Sequence, residues 1–137
     1  MYGNPAYECD GAQVRACSRQ LATVVTVTGD LDDANLDKVS QYTKRFVLRE
    51  KPVVLDLSAV SSATPHIISL LSDIDDACVA AGVEWSLIAS QPVNRAVHNF
   101  DDRIELPTMA SVADALHHFA DVTLERRRLL PLLTKSA

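Results

Sequence analysis

The sequence contains little glycine and little cysteine. Its four glycines do not form the phosphate-binding loop or the dinucleotide-binding fingerprint of nucleotide-binding enzymes. Its three cysteines are odd in number and lack the spacing of zinc ligands, so we expect neither a disulfide framework nor a metal centre. No cofactor is therefore predicted.

Long apolar runs are also missing. No stretch approaches the ~18 apolar residues that are needed to span a bilayer. Residues 1–10 lack the basic start and the apolar core of a signal peptide. These absences predict a cytoplasmic protein that does not insert into a membrane.

The sequence has fewer basic residues than acidic residues. Thirteen Lys and Arg residues against 18 Asp and Glu residues give a net charge of −5, which provides no general attraction for nucleic acid. The one dense basic run, residues 126–128, is interpreted as the solvated end of a helix. With 137 residues, of which 47% are hydrophobic, the chain is predicted to form one domain with a substantial core.

Apolar periodicity predicts alternating strands and helices. Short strands are expected over 14–21, 23–28, 53–57, 83–89 and 104–106. Helices are expected over 33–49, from Thr64 to a stop at Gly82, over 91–100, and from a capping box at Ser111 toward Arg128. This order predicts an α/β fold in which helices pack on a sheet.

The segment between Asp56 and Ile67 is the most informative part of the chain. It is predicted to contain the end of a buried strand, then a loop, then the start of a helix. Thr64 and Pro65 suit the N-cap and the first position of that helix. A hydroxyl at a helix N-terminus either caps the helix or accepts a phosphate, because the helix dipole favours negative charge there. The loop carries four such hydroxyls: Ser58, Ser61, Ser62 and Thr64.

Three local patterns together resemble the STAS domain, which is shared by sulphate transporters and anti-sigma factor antagonists. They are the Gly-Asp-Leu-Asp turn at 29–32, the strand and exit at 53–60, and the Ala-Gly-Val turn at 81–83. The resemblance implies a mixed sheet of about five strands with four helices. It implies an N-terminal extension over 1–12, a STAS domain over 13–121, and a C-terminal helical extension and tail over 122–137.

In anti-sigma factor antagonists, the loop after the central strand carries an Asp-Ser-Ser/Thr-Gly motif whose first serine is phosphorylated. Alignment without gaps from Asp56 places the motif's aspartate on Thr64 and its phosphorylated serine on Pro65. His66 and Ile67 take the next two positions. The resemblance therefore implies that the usual acceptor is missing, with Thr64 and Ser62 as alternative acceptors.

The same resemblance implies a regulatory binding protein without enzymatic activity. Its expected partner is an anti-sigma factor of the ATP-binding kinase type. The expected contact surface comprises the turn and loop at two strand ends together with the exposed face of the second helix, and its residues are Asp30, Asp32, Ser61, Ser62, Thr64, Pro65 and His66.

Two alternatives remain. The chain could be a STAS adaptor subunit that docks on a transporter or another signalling complex through Leu129, Leu130, Leu132 and Leu133. An enzyme is the other alternative, because His98 precedes Asp102 by four residues and His117 lies between Asp114 and Asp121. No nucleophile accompanies these pairs, so they do not predict catalysis.

Overall fold

The computed structural model of the chain describes residues 6–122, which contain one mixed sheet with helices on both faces. The strands are β1 (Tyr7–Cys9), β2 (Ala12–Ser18), β3 (Thr23–Leu31), β4 (Val53–Ala63) and β5 (Trp85–Ala89). The helices are α1 (Leu36–Lys44), α2 (Ile67–Ala81), α3 (Gln91–Phe100) and α4 (112–122). The predicted α/β fold, with five strands and four helices, is confirmed.

Strand order in the sheet follows chain order, β1-β2-β3-β4-β5. The first three strands pair antiparallel, and β3, β4 and β5 pair parallel. Parallel pairing places the carboxyl ends of β3 and β4 side by side, with Asp30 opposite Ser62 and Leu31 opposite Ala63. Two segments that are about thirty residues apart in sequence therefore meet at one end of the sheet.

The central strands are apolar because both of their faces are covered. Leu55 and Leu57 belong to the main core, which lies between the sheet and helices α1 to α3. Val54 belongs instead to a smaller core on the other face, where it packs with Ala115 and Phe119 of α4. Each fully buried side chain of this kind contributes roughly 1.5–3 kcal/mol to folding.

Gly29 allows β3 to pass close to the backbone of Gly11, next to the site described below. Its φ is +94°, and a Cβ added there would lie 2.4 Å from the carbonyl oxygen of Gly11. Asp30 N–H donates to that same oxygen at 3.1 Å. Only glycine allows the two backbones to approach this closely.

The structure corrects the predicted segment between Asp56 and Ile67. Strand β4 does not end at residue 57 but continues to Ala63, because β3 runs beside it and supplies backbone hydrogen-bond partners. Ser58, Ser61 and Ser62 therefore lie on a strand rather than in a loop. Helix α2 begins at Ile67, and His66, not Thr64, occupies its N-cap position.

Other boundaries also differ from the predictions. The predicted strand at 104–106 is absent, and Thr108 instead forms an isolated bridge with Leu87. The predicted helix over 33–49 is shorter and covers Leu36–Lys44. Tyr7–Cys9, which the sequence placed in an N-terminal extension, adds a strand to the sheet. The domain limits at 13 and 121 stay a prediction.

Two predicted helix ends are confirmed. Gly82 closes α2 in the left-handed conformation, with φ of +71°. Ser111 Oγ accepts a hydrogen bond from Asp114 N–H at 3.1 Å, which is the expected capping contact at the start of α4. The predicted extension of this helix toward Arg128 lies outside the described residues.

Candidate functional site

The predicted contact residues come together where β3 and β4 end. We call residues 30–33 and 61–66 the strand-end surface. Thr64 N–H donates to Leu31 O at 2.9 Å, so backbone hydrogen bonding between the two segments continues one residue beyond the end of β4. Ser62 Oγ donates to Asp30 Oδ1 at 2.9 Å and joins the two segments through their side chains. Strand pairing therefore explains why these distant segments form one surface.

Asp33 lies at the centre of a small polar cluster on this surface. Thr64 Oγ1 donates to Asp33 Oδ1 at 2.7 Å, and His66 Nδ1 lies 2.8 Å from the same oxygen. The imidazole donates to that oxygen when Nδ1 carries the proton. Both partners of this contact remain exposed, with 69% of the His66 side chain and 66% of the Asp33 side chain accessible. The cluster is therefore available to a partner.

Hydrogen bonding perturbs the titration of Asp33. The contact with His66, followed by the hydroxyl of Thr64, lowers the pKa of Asp33 because both stabilise the carboxylate form. The sequence interpretation treated Asp33 only as part of a helix start and missed it as a site residue. No local signal identifies it, since both of its partners lie on another strand end.

Asp32 and Asn35 hold the turn that carries this cluster. Asp32 Oδ1 accepts from the backbone N–H groups of Ala34 and Asn35, at 2.9 and 3.1 Å. The fully buried Asn35 side chain donates to Asp30 O and Asp10 O, and it accepts from Asp32 N–H at 3.0 Å. The turn is therefore fixed before any partner binds.

Thr64, Pro65 and His66 form the turn that leads into α2. Ile67 N–H donates to Thr64 O at 3.0 Å, and His66 N–H makes a longer contact of 3.3 Å with Thr64 Oγ1. Pro65 is exposed and carries no hydroxyl. Thr64 thus does not cap α2 as predicted, although its hydroxyl still accepts from a backbone N–H group two residues later.

The other loop hydroxyls differ in their surroundings. Ser58 Oγ donates to Asp56 Oδ1 at 2.6 Å, away from the cluster at Asp33. Ser61 is exposed, and its side chain has no hydrogen-bond partner within residues 6–122. Of the predicted contact residues, Ser62 therefore bonds to β3, and Thr64 and His66 bond to the turn that follows β3. Ser61 and Pro65 are exposed beside them.

Other candidate sites have less support in the described residues. Within 6–122, no group of three or more His, Cys, Asp or Glu side chains could hold a metal ion. His117 Nε2 lies 3.5 Å from Asp121 Oδ2, but both side chains are mostly exposed on α4. No helix in the described part of the chain is both long and apolar enough to cross a membrane. The leucines at 129–133 lie outside that part.

Surface depressions are found elsewhere on the domain. One of about 410 Å³ lies beside Trp85 and Met109, and one of about 450 Å³ lies beside His98 and Leu106. None of their lining residues belongs to the strand-end surface.

Comparison with known proteins gives a family match and a sequence relative. The model of the STAS domain matches residues 13–115. Osmosensory protein A of Mycobacterium tuberculosis is 44% identical over 140 residues, which cover 98% of this chain and 89% of that protein.

Solved structures show the same fold at low sequence identity. An anti-sigma factor antagonist from Mycobacterium paratuberculosis superposes with a TM-score of 0.69 at 20% identity, covering 81% of this chain and 96% of that one. The anti-sigma factor antagonist SpoIIAA, in its unphosphorylated form, gives 0.63 at 13% identity over 79% and 96% of the two chains. SLC26A9 gives 0.63 at 21% identity, and the match covers 82% of this chain and 22% of SLC26A9.

Proposed function

This chain belongs to the STAS domain family, and we propose that it is an anti-sigma factor antagonist-like regulatory protein. Its partner would be an anti-sigma factor of the ATP-binding kinase type, bound through the strand-end surface. The protein would act in signalling and transcription regulation by binding, without catalysing a reaction. Such a partner would place it in the cytoplasm.

One observation supports this proposal more than any other. Asp30 with Ser62, and Asp33 with Thr64 and His66, form a continuous hydrogen-bonded surface across two parallel strand ends. Asp30 and Ser62 lie on paired strands, and Asp32 and Asn35 hold the turn that carries Asp33, so these side chains are positioned before a partner binds. A preorganised surface also loses less conformational entropy on binding, which favours a stable contact with a protein.

The strand-end surface is proposed to bind its partner without a phosphorylation switch at the position where anti-sigma factor antagonists carry the phosphorylated serine. Alignment without gaps from Asp56 would put Pro65 at that position, and proline has no hydroxyl to accept a phosphate. The hydroxyls of Ser62 and Thr64 already donate to Asp30 and Asp33. A phosphate on either would bring about −1.5 to −2 charges beside a carboxylate, which is repulsive. We infer that these hydroxyls brace the surface.

A panel of purified anti-sigma factors with ATP-binding kinase domains tests both parts of the proposal. We expect at least one to form a complex with the full chain, and we expect mass spectrometry after incubation with ATP to find no phosphate on the chain. Phosphate on Thr64 or Ser62 would refute the missing switch while leaving the binding role intact. Absence of a complex with every member of the panel would argue against the binding role itself.

A Pro65→Ser variant provides the matched comparison for the kinase assay. It restores a hydroxyl at the family position and leaves the contacts of Asp33 in place. Phosphorylation of this variant, but not of the natural chain, would show that proline alone blocks the switch. If neither chain is phosphorylated, the neighbouring residues at 64, 66 and 67 also prevent it.

A further inference from the structure

The cavity of about 410 Å³ lies beside β5, the last strand of the sheet. Its lining includes Trp85 and Ser86 of β5 and Phe119 of α4. A second cavity of about 180 Å³ adjoins it, because Asp75, Trp85 and Pro107 line both. The larger cavity falls within the range of roughly 300–1,000 Å³ that is typical of small-molecule sites, so its chemistry decides what it can hold.

Ser86 places an unpaired hydroxyl in the wall of this cavity. Only 3% of the residue is exposed. Ser86 pairs with Val54, so its side chain lies on the face of the sheet where α4 packs, and α4 forms part of the cavity wall. Ser86 Oγ has no hydrogen-bond partner within residues 6–122. Because a buried hydroxyl without a partner is unfavourable, this one is suited to bond a molecule that enters the cavity.

The backbone of Trp85 adds a hydrogen-bond acceptor at the edge of the sheet. Leu87 N–H donates to Pro107 O, and Leu87 O accepts from Met109 N–H, both at 2.9 Å, on the side of β5 away from β4. Residues two apart in a strand point their backbone groups to the same side, so Trp85 O also points to this edge. Trp85 lines the cavity, and its carbonyl oxygen is therefore available there.

The charged residues of the lining are mainly acidic. Asp75 and Glu84 are exposed carboxylates, and His118 is the one basic side chain among the described residues that line the cavity. Asp75 Oδ1 accepts from Trp85 Nε1 at 2.9 Å, which holds this carboxylate beside the indole. The Glu84 side chain forms no ion pair or hydrogen bond within residues 6–122. Carboxylates next to the rings of Trp85 and Phe119 favour a positively charged ligand.

We propose that this cavity binds a small organic ammonium ion with an apolar body. The ammonium group donates to the Glu84 carboxylate, Ser86 Oγ and Trp85 O, which matches its three donors and its lack of an acceptor. The apolar body lies against Met109 and Phe119. This site is independent of the function proposed above, because none of its lining residues belongs to the strand-end surface.

Titration of the isotope-labelled full chain with phenethylammonium chloride, followed by NMR, tests this site. We expect saturable shifts of the backbone amide signals of Glu84, Ser86 and Met109, and no shift at Thr64. Phenethyl alcohol, which replaces the ammonium with a hydroxyl, should bind about tenfold more weakly, as expected for loss of a charge-assisted hydrogen bond. Equal binding of the alcohol would overturn the assigned charge of the ligand, and absence of saturable binding by the ammonium compound would overturn the site.

Three variants separate a ligand-binding role from a structural one. Ser86→Ala removes a hydroxyl without a described partner, so it should leave the urea midpoint unchanged but weaken phenethylammonium binding about two- to tenfold. Glu84→Gln, at an exposed side chain, should weaken binding about tenfold. Asp102→Asn makes the same charge change at an exposed acid outside the lining and should not alter the affinity. A lower midpoint for Ser86→Ala, or an equal loss of affinity for Asp102→Asn, would overturn the proposal.

Discussion

Removal of the Asn35 side chain is expected to destabilise the turn that carries the strand-end surface. This fully buried amide makes three hydrogen bonds, to Asp30 O, Asp10 O and Asp32 N–H. At a net value of about 0.5–1.5 kcal/mol for each bond, Asn35→Ala should lower the free energy of unfolding by about 1.5–4.5 kcal/mol. That loss is a large fraction of the ~5–15 kcal/mol that typically stabilises a domain.

Urea unfolding, followed by far-ultraviolet circular dichroism, measures this loss. The midpoint should fall while the denaturant slope stays constant, since the same surface is exposed on unfolding. Asn94→Ala is the matched control, because Asn94 is an exposed residue of α3 and its change should stay within about 0.5 kcal/mol. A loss below 1 kcal/mol for Asn35→Ala would refute the assigned role of this amide.

Other predictions concern single residues. Gly29→Ala should destabilise the protein by more than Gly82→Ala in thermal unfolding, since both have positive φ but only the former brings a Cβ 2.4 Å from a carbonyl oxygen. Carboxyl NMR should give Asp33 a pKa below the usual aspartate range, and His66→Ala should raise that pKa. The Asp33 carboxylate therefore stabilises the folded state above the usual aspartate pKa, and this contribution is lost as pH falls through the lowered pKa. Burial raises the pKa of Cys78 to about 11, so its thiol should resist iodoacetamide at pH 8 until the protein unfolds.

Elements with local signals were predicted well from the sequence. Helix α3 covers Gln91–Phe100 as expected, and Ser90 Oγ accepts from Val93 N–H at its start. Gly82 ends α2 because a left-handed residue is needed there. The apolar run from residue 53 forms β4 because both faces of the sheet are covered. In each case, the residues that decide the structure are close together in sequence.

Elements that depend on distant partners were not predicted. The serines at 58, 61 and 62 have the composition of a loop, yet pairing with β3 extends β4 through them to Ala63. Threonine is strongly preferred at helix N-caps, but Thr64 does not cap α2, and its hydroxyl donates a hydrogen bond to Asp33. Asp33 itself was missed for the same reason, since 31 residues separate it from Thr64. Strand pairing, rather than local propensity, determines this surface.

Titration calorimetry of the full chain with an anti-sigma factor from the panel tests the central claim most directly. If the strand-end surface binds the partner, Thr64→Ala and His66→Ala should each weaken the affinity about tenfold or more, which corresponds to ~1.4 kcal/mol. His98→Ala, an exposed histidine on α3, should bind as the natural chain does. Unchanged affinity for both strand-end variants, or an equal loss for His98→Ala, would contradict the claim that residues 30–33 and 61–66 form the partner-binding surface.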